Sequence, residues 1–305
     1  MSDTPTKTKG RAKKDDYIVQ GSILAAAAVL TKIIGVVYRI PLTNILGDEG
    51  NGFYGYAYQV YAIALMISSF SLPTAVSKLV SVRLAKRQKR NAFRVFLCSL
   101  AFAVGVGLFI SLTIFLGAGL ISTHAMKSPL SVYALRVLAP GLLIVAVMAV
   151  IRGYFQGMGT MIPTAISQII EQIVNAVVSV GAAYVLFAYG RRIATVLGSK
   201  EHYDAAYGAA GGTLGTSAGA LCGLAFIIFV FSMFLPKFRK AMRRENKIGK
   251  KQPESYRVIF GILIGTIVPV LMSTTIYNMV SIVDQWLFKN IATIQGYSAA
   301  DVSEW

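Results

Sequence analysis

Lys32 and Arg39 lie seven residues apart inside an apolar run, TKIIGVVYRIPL, where charge is costly. Seven residues is close to two helical turns, so both side chains project from one face. Their chemistry is electrostatic. An ionisable group at membrane depth costs at least ~2.5 kcal/mol on insertion scales and faces a bundle interior or a wet cavity. Lys32 is the deeper of the two, and function outweighs mere tolerance there. Arg39 is explained equally well by snorkelling to the headgroups.

A second constellation lies in an Ile-, Val- and Ala-rich stretch. Gln168, Glu171, Gln172, Asn175 and Ser179 are spaced by three and four, which lines one face of a helix. Interhelical hydrogen bonds account for the amides and the serine. Glu171 needs a cation, a proton or water, and the reading favours a cavity-facing role. A third face, Thr274, Asn278, Ser281 and Asp284, follows Pro269. A proline-broken helix whose polar face ends in a carboxylate suits a substrate or ion pathway, with a structural hydrogen-bond seam as the alternative. Lys78 follows Pro73 in SLPTAVSKLVS and reads, by itself, as one more charge at the inner surface. Arg136 and Arg152 flank Pro140 on different faces and default to interface anchors. Tyr54, Tyr58 and Tyr61 form a stripe that suits an interfacial belt and packing face. Gly211, Gly215, Gly219 and Gly223 recur every fourth residue, a ridge for close helix approach.

Signatures of soluble enzymes are absent: no GxxxxGK[ST], GxSxG or HExxH, and His124 and His202 lack ligand partners at useful spacing. Cys98 and Cys222 sit within apolar runs and read as small hydrophobes. The chain is predicted not to be an enzyme and to hold no metal.

The elements that must position these residues are membrane helices. A hydrophobic content of 55%, 14% charged residues and a mean hydropathy of +0.61 describe a chain that needs lipid. Seven stretches reach the ~20 residues a crossing requires, near 17–39, 54–79, 95–121, 132–152, 163–188, 209–235 and 257–287. The net charge of +17 is gathered in three clusters, Lys7 to Lys14, Arg83 to Arg94 and Lys237 to Arg257, on alternate connections. Cytoplasmic loops collect Lys and Arg, so these clusters and the N-terminus are predicted inside, in a multi-pass protein of the cell membrane. Basic residues confined to membrane-flanking loops argue against nucleic acid as a partner. The loop from Leu42 to Phe53 is expected outside. An odd number of spans suggests half of a larger transporter.

The runs RIPLTNILGDEGNGFYGYAYQVY, SLPTAVSKLVS and RGYFQGMGTMIPTAISQIIEQIV resemble the polysaccharide-export branch of the multidrug/oligosaccharidyl-lipid/polysaccharide (MOP) flippases. The resemblance is to the stage V sporulation protein B group, relatives of the lipid II flippases. It implies an all-α polytopic bundle of the MATE-like MOP flippase fold, an N-lobe of about six helices plus the first helix of a C-lobe. The corresponding division is a basic tail (1–16), the N-lobe (17–235), a basic inter-lobe loop (236–256) and a seventh helix with an extracytoplasmic end (257–305). It further implies a cationic cavity for an undecaprenyl-linked glycan diphosphate. Lys32 takes the place of the family's first-helix cation, Tyr38 or Arg39 that of the second, and Lys78 falls on the family's arginine pair. Asp284 falls where some members carry an acidic residue linked to cation binding. No cofactor is implied beyond a coupling ion, Na+ or H+, and the partners implied are the lipid-linked glycan, the bilayer and cell-wall synthesis enzymes. The function implied is export of lipid II-like precursors by alternating access, for peptidoglycan or spore cortex. A cation-coupled multidrug exporter and a non-transporting envelope scaffold are the alternatives.

Overall fold

The computed structural model describes the backbone of residues 6–126, 128–197, 202–248 and 254–294, with most of the side chains from Val19 onward. Among these residues every regular element is helical: α1 (Thr6–Leu65), α2 (Leu72–Ala85), α3 (Lys89–Leu120), α4 (Val132–Gly157), α5 (Ile162–Leu197), α6 (Tyr203–Ile248) and α7 (Tyr256–Ile294). Six helices among the described residues are long and apolar enough to cross a membrane, the first being Val19–Ala85. Its 67 residues would extend ~100 Å as one rod, three bilayer cores. Gly47 solves this. The helix breaks there at φ 64° and ψ −175°, a left-handed conformation that glycine adopts without a Cβ clash. The Asn51 amide donates to the Thr43 carbonyl at 3.1 Å and to the Gly47 carbonyl at 2.7 Å, closing the reversal. Leu42 and Leu46 then share a buried cluster with Tyr54 and Tyr61 of the returning arm. The outside loop expected at 42–53 is therefore a single-residue break between two helical arms.

The returning arm continues through a π-helical turn at Met66–Phe70 into α2. Pro73 occupies the first turn of α2, where a missing N–H leaves no bond unmade. The π-helical turn thus lies just before Pro73. On the opposing α4, Gly153 and Gly157 admit this segment. A Cβ at Gly153 would stand 2.8 Å from the Pro73 carbonyl oxygen, and one at Gly157 2.8 Å from Val80 Cβ.

α5 and α6 pack more closely still. Added Cβ atoms at Gly211 and Gly215 would collide with the Ala182 carbonyl and with Ser179, and one at Gly219 would lie 2.5 Å from the Glu171 carbonyl oxygen. The predicted glycine ridge is the surface on which the polar face of α5 rests. α4 packs on α6 and, on its other sides, on α2 and α3. It carries Leu135, Leu138 and Leu142 in one buried cluster and Met148, Tyr154 and Phe155 in the other. Tyr154 lies among the rings of Phe96, Phe231 and Phe238, with centroids 5.0 to 5.9 Å away. α7 is held at its start. Glu254, just before it, accepts bonds from Arg83 Nη2 at 2.6 Å and Nε at 3.2 Å, while Arg94 lies over the Tyr256 ring at 4.7 Å.

Candidate functional site

The first arm of α1 and α5 run side by side in the same direction. Gln20 Oε1 accepts from the Met161 amide at 2.7 Å at one end, and Asn175 Nδ2 donates to the Tyr38 hydroxyl at 3.2 Å further along. Between these ties, Gly35 leaves room for the Gln172 amide, whose Nε2 would stand 3.2 Å from a Cβ at that position. The seam widens into an open cleft of about 760 Å³. Lys32, Tyr38 and Arg39 line it from the first arm of α1, Tyr58 from the returning arm, and Gln172 and Asn175 from α5.

Both cations of the cleft are solvent-exposed, and among the described residues no carboxylate pairs with either. An unpaired lysine and arginine beside two amides and two phenols present donors and positive charge to whatever enters. Tyr38 and Arg39 both line the cleft, so either register of the family's second cation reaches the same space. Of the tyrosine stripe, Tyr54 and Tyr61 are buried in the core while Tyr58 faces the cleft, stacked on Tyr54 with centroids 5.8 Å apart.

The polar face of α5 divides between two duties. Gln172 and Asn175 open on the cleft, yet Asn175 is also tied into the helix interface. Its Oδ1 accepts from Ser179 Oγ at 2.9 Å, and Ser179 Oγ lies 2.7 Å from the Gly212 carbonyl oxygen. Glu171 is not in the cleft lining. Its Oε2 accepts from Arg152 Nη2 at 2.8 Å, and Arg152 Nε donates to Ser167 Oγ at 2.9 Å. Arg152 is 12% exposed and Glu171 27%, so the pair is largely out of water. The interface-anchor reading of Arg152 is thereby corrected: the arginine turns inward to supply the cation that Glu171 needs. The only cue in the sequence was that need, because spacing along one helix does not say which residue of another helix faces it.

Gln168 lines a separate inner pocket with Arg152. Lys78 is exposed on α2 and lines neither cavity. The side chains of Asn278 and Asp284, on the later part of α7, lie outside the described residues. Among the described residues no cluster of His, Cys, Asp or Glu is arranged to hold a metal ion.

Long apolar helices bundled beside a polar, cation-lined cleft are the architecture of a multi-pass membrane protein. Solved structures share the helical fold. A MOP superfamily transporter from Pyrococcus furiosus superposes with a TM-score of 0.62 at 20% identity, covering 91% of this chain and 55% of that one. An outward-facing MATE multidrug-resistance transporter of the MOP superfamily gives 0.65 at 18% identity, covering 95% and 58%. At that identity the likeness shows the fold alone, and it is the MATE-like MOP fold.

Residues 19–243 match the polysaccharide biosynthesis protein family, and the chain belongs to it. Stage V sporulation protein B of Bacillus subtilis is 27% identical over 291 residues, which is 95% of this chain and 51% of that protein. The uncharacterized membrane protein YabM of the same organism is 34% identical over 235 residues, 77% of this chain and 41% of the relative. The lipid II flippase MurJ, also from B. subtilis, is 28% identical over 172 residues, 54% and 32%. The chain thus spans about half or less of the length of these relatives.

Proposed function

We propose that this chain forms the N-lobe of a flippase that moves lipid-linked cell-wall or polysaccharide precursors across the cell membrane by alternating access. The observation that carries the reading is the cleft in which Lys32 and Arg39 stand unpaired beside Gln172 and Asn175. A diphosphate bears the complementary charge, and amide and phenol donors add hydrogen bonds to its oxygens. Lysine neutralises phosphate as a point charge while arginine offers a planar fork, so the two cations act differently on one group. Membership of the polysaccharide biosynthesis family and likeness to a lipid II flippase support the same substrate class. Orientation follows from the basic clusters at Arg83 to Arg94 and Lys237 to Arg257, which belong inside with the N-terminus.

A coupling ion, Na+ or H+, and the assignment of Lys78, Asn278 and Asp284 to the transport path belong to the same proposal. A multidrug exporter of the MATE type shares the fold, but a cation substrate would meet unpaired lysine and arginine in this cleft, not carboxylates.

The test is complementation of a strain depleted of its lipid II flippase by the gene that carries this chain. Growth is restored by the wild-type gene. The Lys32→Ala, Arg39→Ala double variant restores none while still inserting in the membrane, and normal growth with that variant would contradict the cleft assignment.

A further inference from the structure

A second open pocket adjoins the cationic cleft, nearer the break at Gly47. Its volume is about 460 Å³, within the ~300–1,000 Å³ of small-molecule sites. Arg39 lines it from the first arm of α1, and residues between Asn51 and Gln59 line it from the returning arm. Arg39 and Tyr58 also line the cleft, so the two spaces share a wall.

The lining is aromatic and amide in kind. Tyr56 is 48% exposed and Tyr58 42%, and the buried Tyr54 stacks on Tyr58 and steadies it, with the ring planes 9° apart. Asn51 spends its amide hydrogens on the Thr43 and Gly47 carbonyls, which fixes its oxygen as an acceptor. The exposed Gln59 offers both a donor and an acceptor. Among the described residues no carboxylate lines either space, and the one cation here, Arg39, is shared with the cleft. A cationic ligand therefore meets no counter-charge, and a second phosphate no cation of its own. The lining suits an uncharged polyol. The C–H face of a sugar ring lies on the electron-rich face of a tyrosine, and amides bond its hydroxyls.

Two glycines keep this space open. At Gly52 and Gly55 an added Cβ would meet nothing within 4 Å, and neither has a positive φ. Neither close packing nor backbone conformation therefore calls for glycine, which is less stable than alanine inside a helix. The α6 glycines differ, because α5 fills the room they leave. What Gly52 and Gly55 leave empty is the pocket.

We propose that Tyr56, Tyr58, Asn51 and Gln59 form a subsite for the first sugar of a lipid-linked glycan whose diphosphate is held by Lys32 and Arg39. The subsite rests on the transport reading above and gives it a sugar-recognising element. Lys32, Arg39 and the pocket follow one another toward Gly47, so on the proposed orientation the sugar lies on the outer side of the diphosphate. The subsite selects glycosylated over bare polyprenyl diphosphate, because only the sugar covers the exposed tyrosine rings and engages the amides.

The test is a native mass-spectrometry titration, in lipid nanodiscs, of the protein encoded by the gene that carries this chain. The probes are undecaprenyl diphosphate and the same lipid carrying one N-acetylhexosamine. The wild type binds the glycosylated lipid about tenfold more tightly. Gly55→Leu, which fills the pocket, and Tyr56→Ala, which removes a ring from it, each shrink that ratio below about threefold. Both leave binding of the bare lipid unchanged, which shows that the variants are folded. Lys32→Ala weakens both lipids and leaves the ratio intact. An unchanged ratio in both pocket variants, or no preference in the wild type, overturns the subsite alone and leaves its tyrosines as an interfacial belt. Failure of both lipids to compete with phosphatidylglycerol overturns the transport reading, and the subsite with it.

Discussion

α4 and the first arm of α1 are both apolar helices of a membrane bundle, yet their surroundings differ sharply. In the most apolar stretch of α4, 61% of residues are buried inside the protein, against 6% for the stretch within Val19–Ala85. α4 is gripped on several sides: by α2 through Gly153 and Gly157, by α3 through Gly107, and by α6 through Ser217, whose hydroxyl donates to the Val137 carbonyl at 2.8 Å. The first arm of α1 instead turns Val29, Val36, Val37 and Ile40 outward, more than half exposed. From Gln20 to Tyr38 its inward ties are the Gln20 and Tyr38 hydrogen bonds and the close approach at Gly35, and only near the break do Leu42 and Leu46 enter the buried core. A close-packed platform of α4, α5 and α6 carries the stability, while a lightly attached helix carries the cleft cations. Proteins draw binding elements from the low-stability end for this reason.

The largest effect that can break this division is on the platform. Gly215→Leu forces a side chain into Ser179 and the adjoining backbone of α5. Overpacking against a helix backbone is expected to cost about 3 kcal/mol, read as a fall in melting temperature in detergent. The same change at Gly21, where a Cβ meets nothing within 4 Å, should leave the melting temperature unaltered.

Next in size is the Arg152–Glu171 pair. Arg152→Ala strands a carboxylate that is 27% exposed, and a cost of about 2 kcal/mol is expected after allowing for that exposure. Removing Glu171 as well should recover much of it. A double-mutant cycle showing additive losses would mean that the pair is incidental.

The smallest effect belongs to the break in α1 at Gly47. His202 Nδ1 and Glu49 Oε2 approach to 2.6 Å, but both side chains are at least half exposed. His202→Ala should change the melting temperature by no more than scan error, since water competes for both groups. A loss comparable to that of Arg152→Ala would show that α1 is anchored more firmly than its burial indicates.

How far these features were legible in the sequence depends on whether they are local. The faces of α5 and the glycine ridge of α6 follow from spacings of three and four, and both are present. Spacing names a face without naming what it meets. The sequence shows that Glu171 needs a cation, a proton or water, but not that the cation is Arg152, nineteen residues earlier and across a turn. Gly47 stood in a polar segment that read as a loop, and only its backbone angles show two helical arms meeting there. The π turn leaves no mark in residue type, and the extra residue lies just before Pro73. The inner pocket is half visible in the sequence: Thr164 lies four residues before Gln168 on one face of α5, while Gln156 is on α4 with no spacing to link it.

The central claim is that unpaired Lys32 and Arg39 carry a phosphate-bearing lipid across the membrane. The most direct measurement follows labelled lipid II to the outer leaflet of vesicles containing the protein encoded by the gene that carries this chain. The account predicts translocation by the wild type, and a loss of at least about tenfold in the Lys32→Ala, Arg39→Ala variant at equal incorporation. Equal rates for the two proteins, or no translocation above empty vesicles, would contradict it.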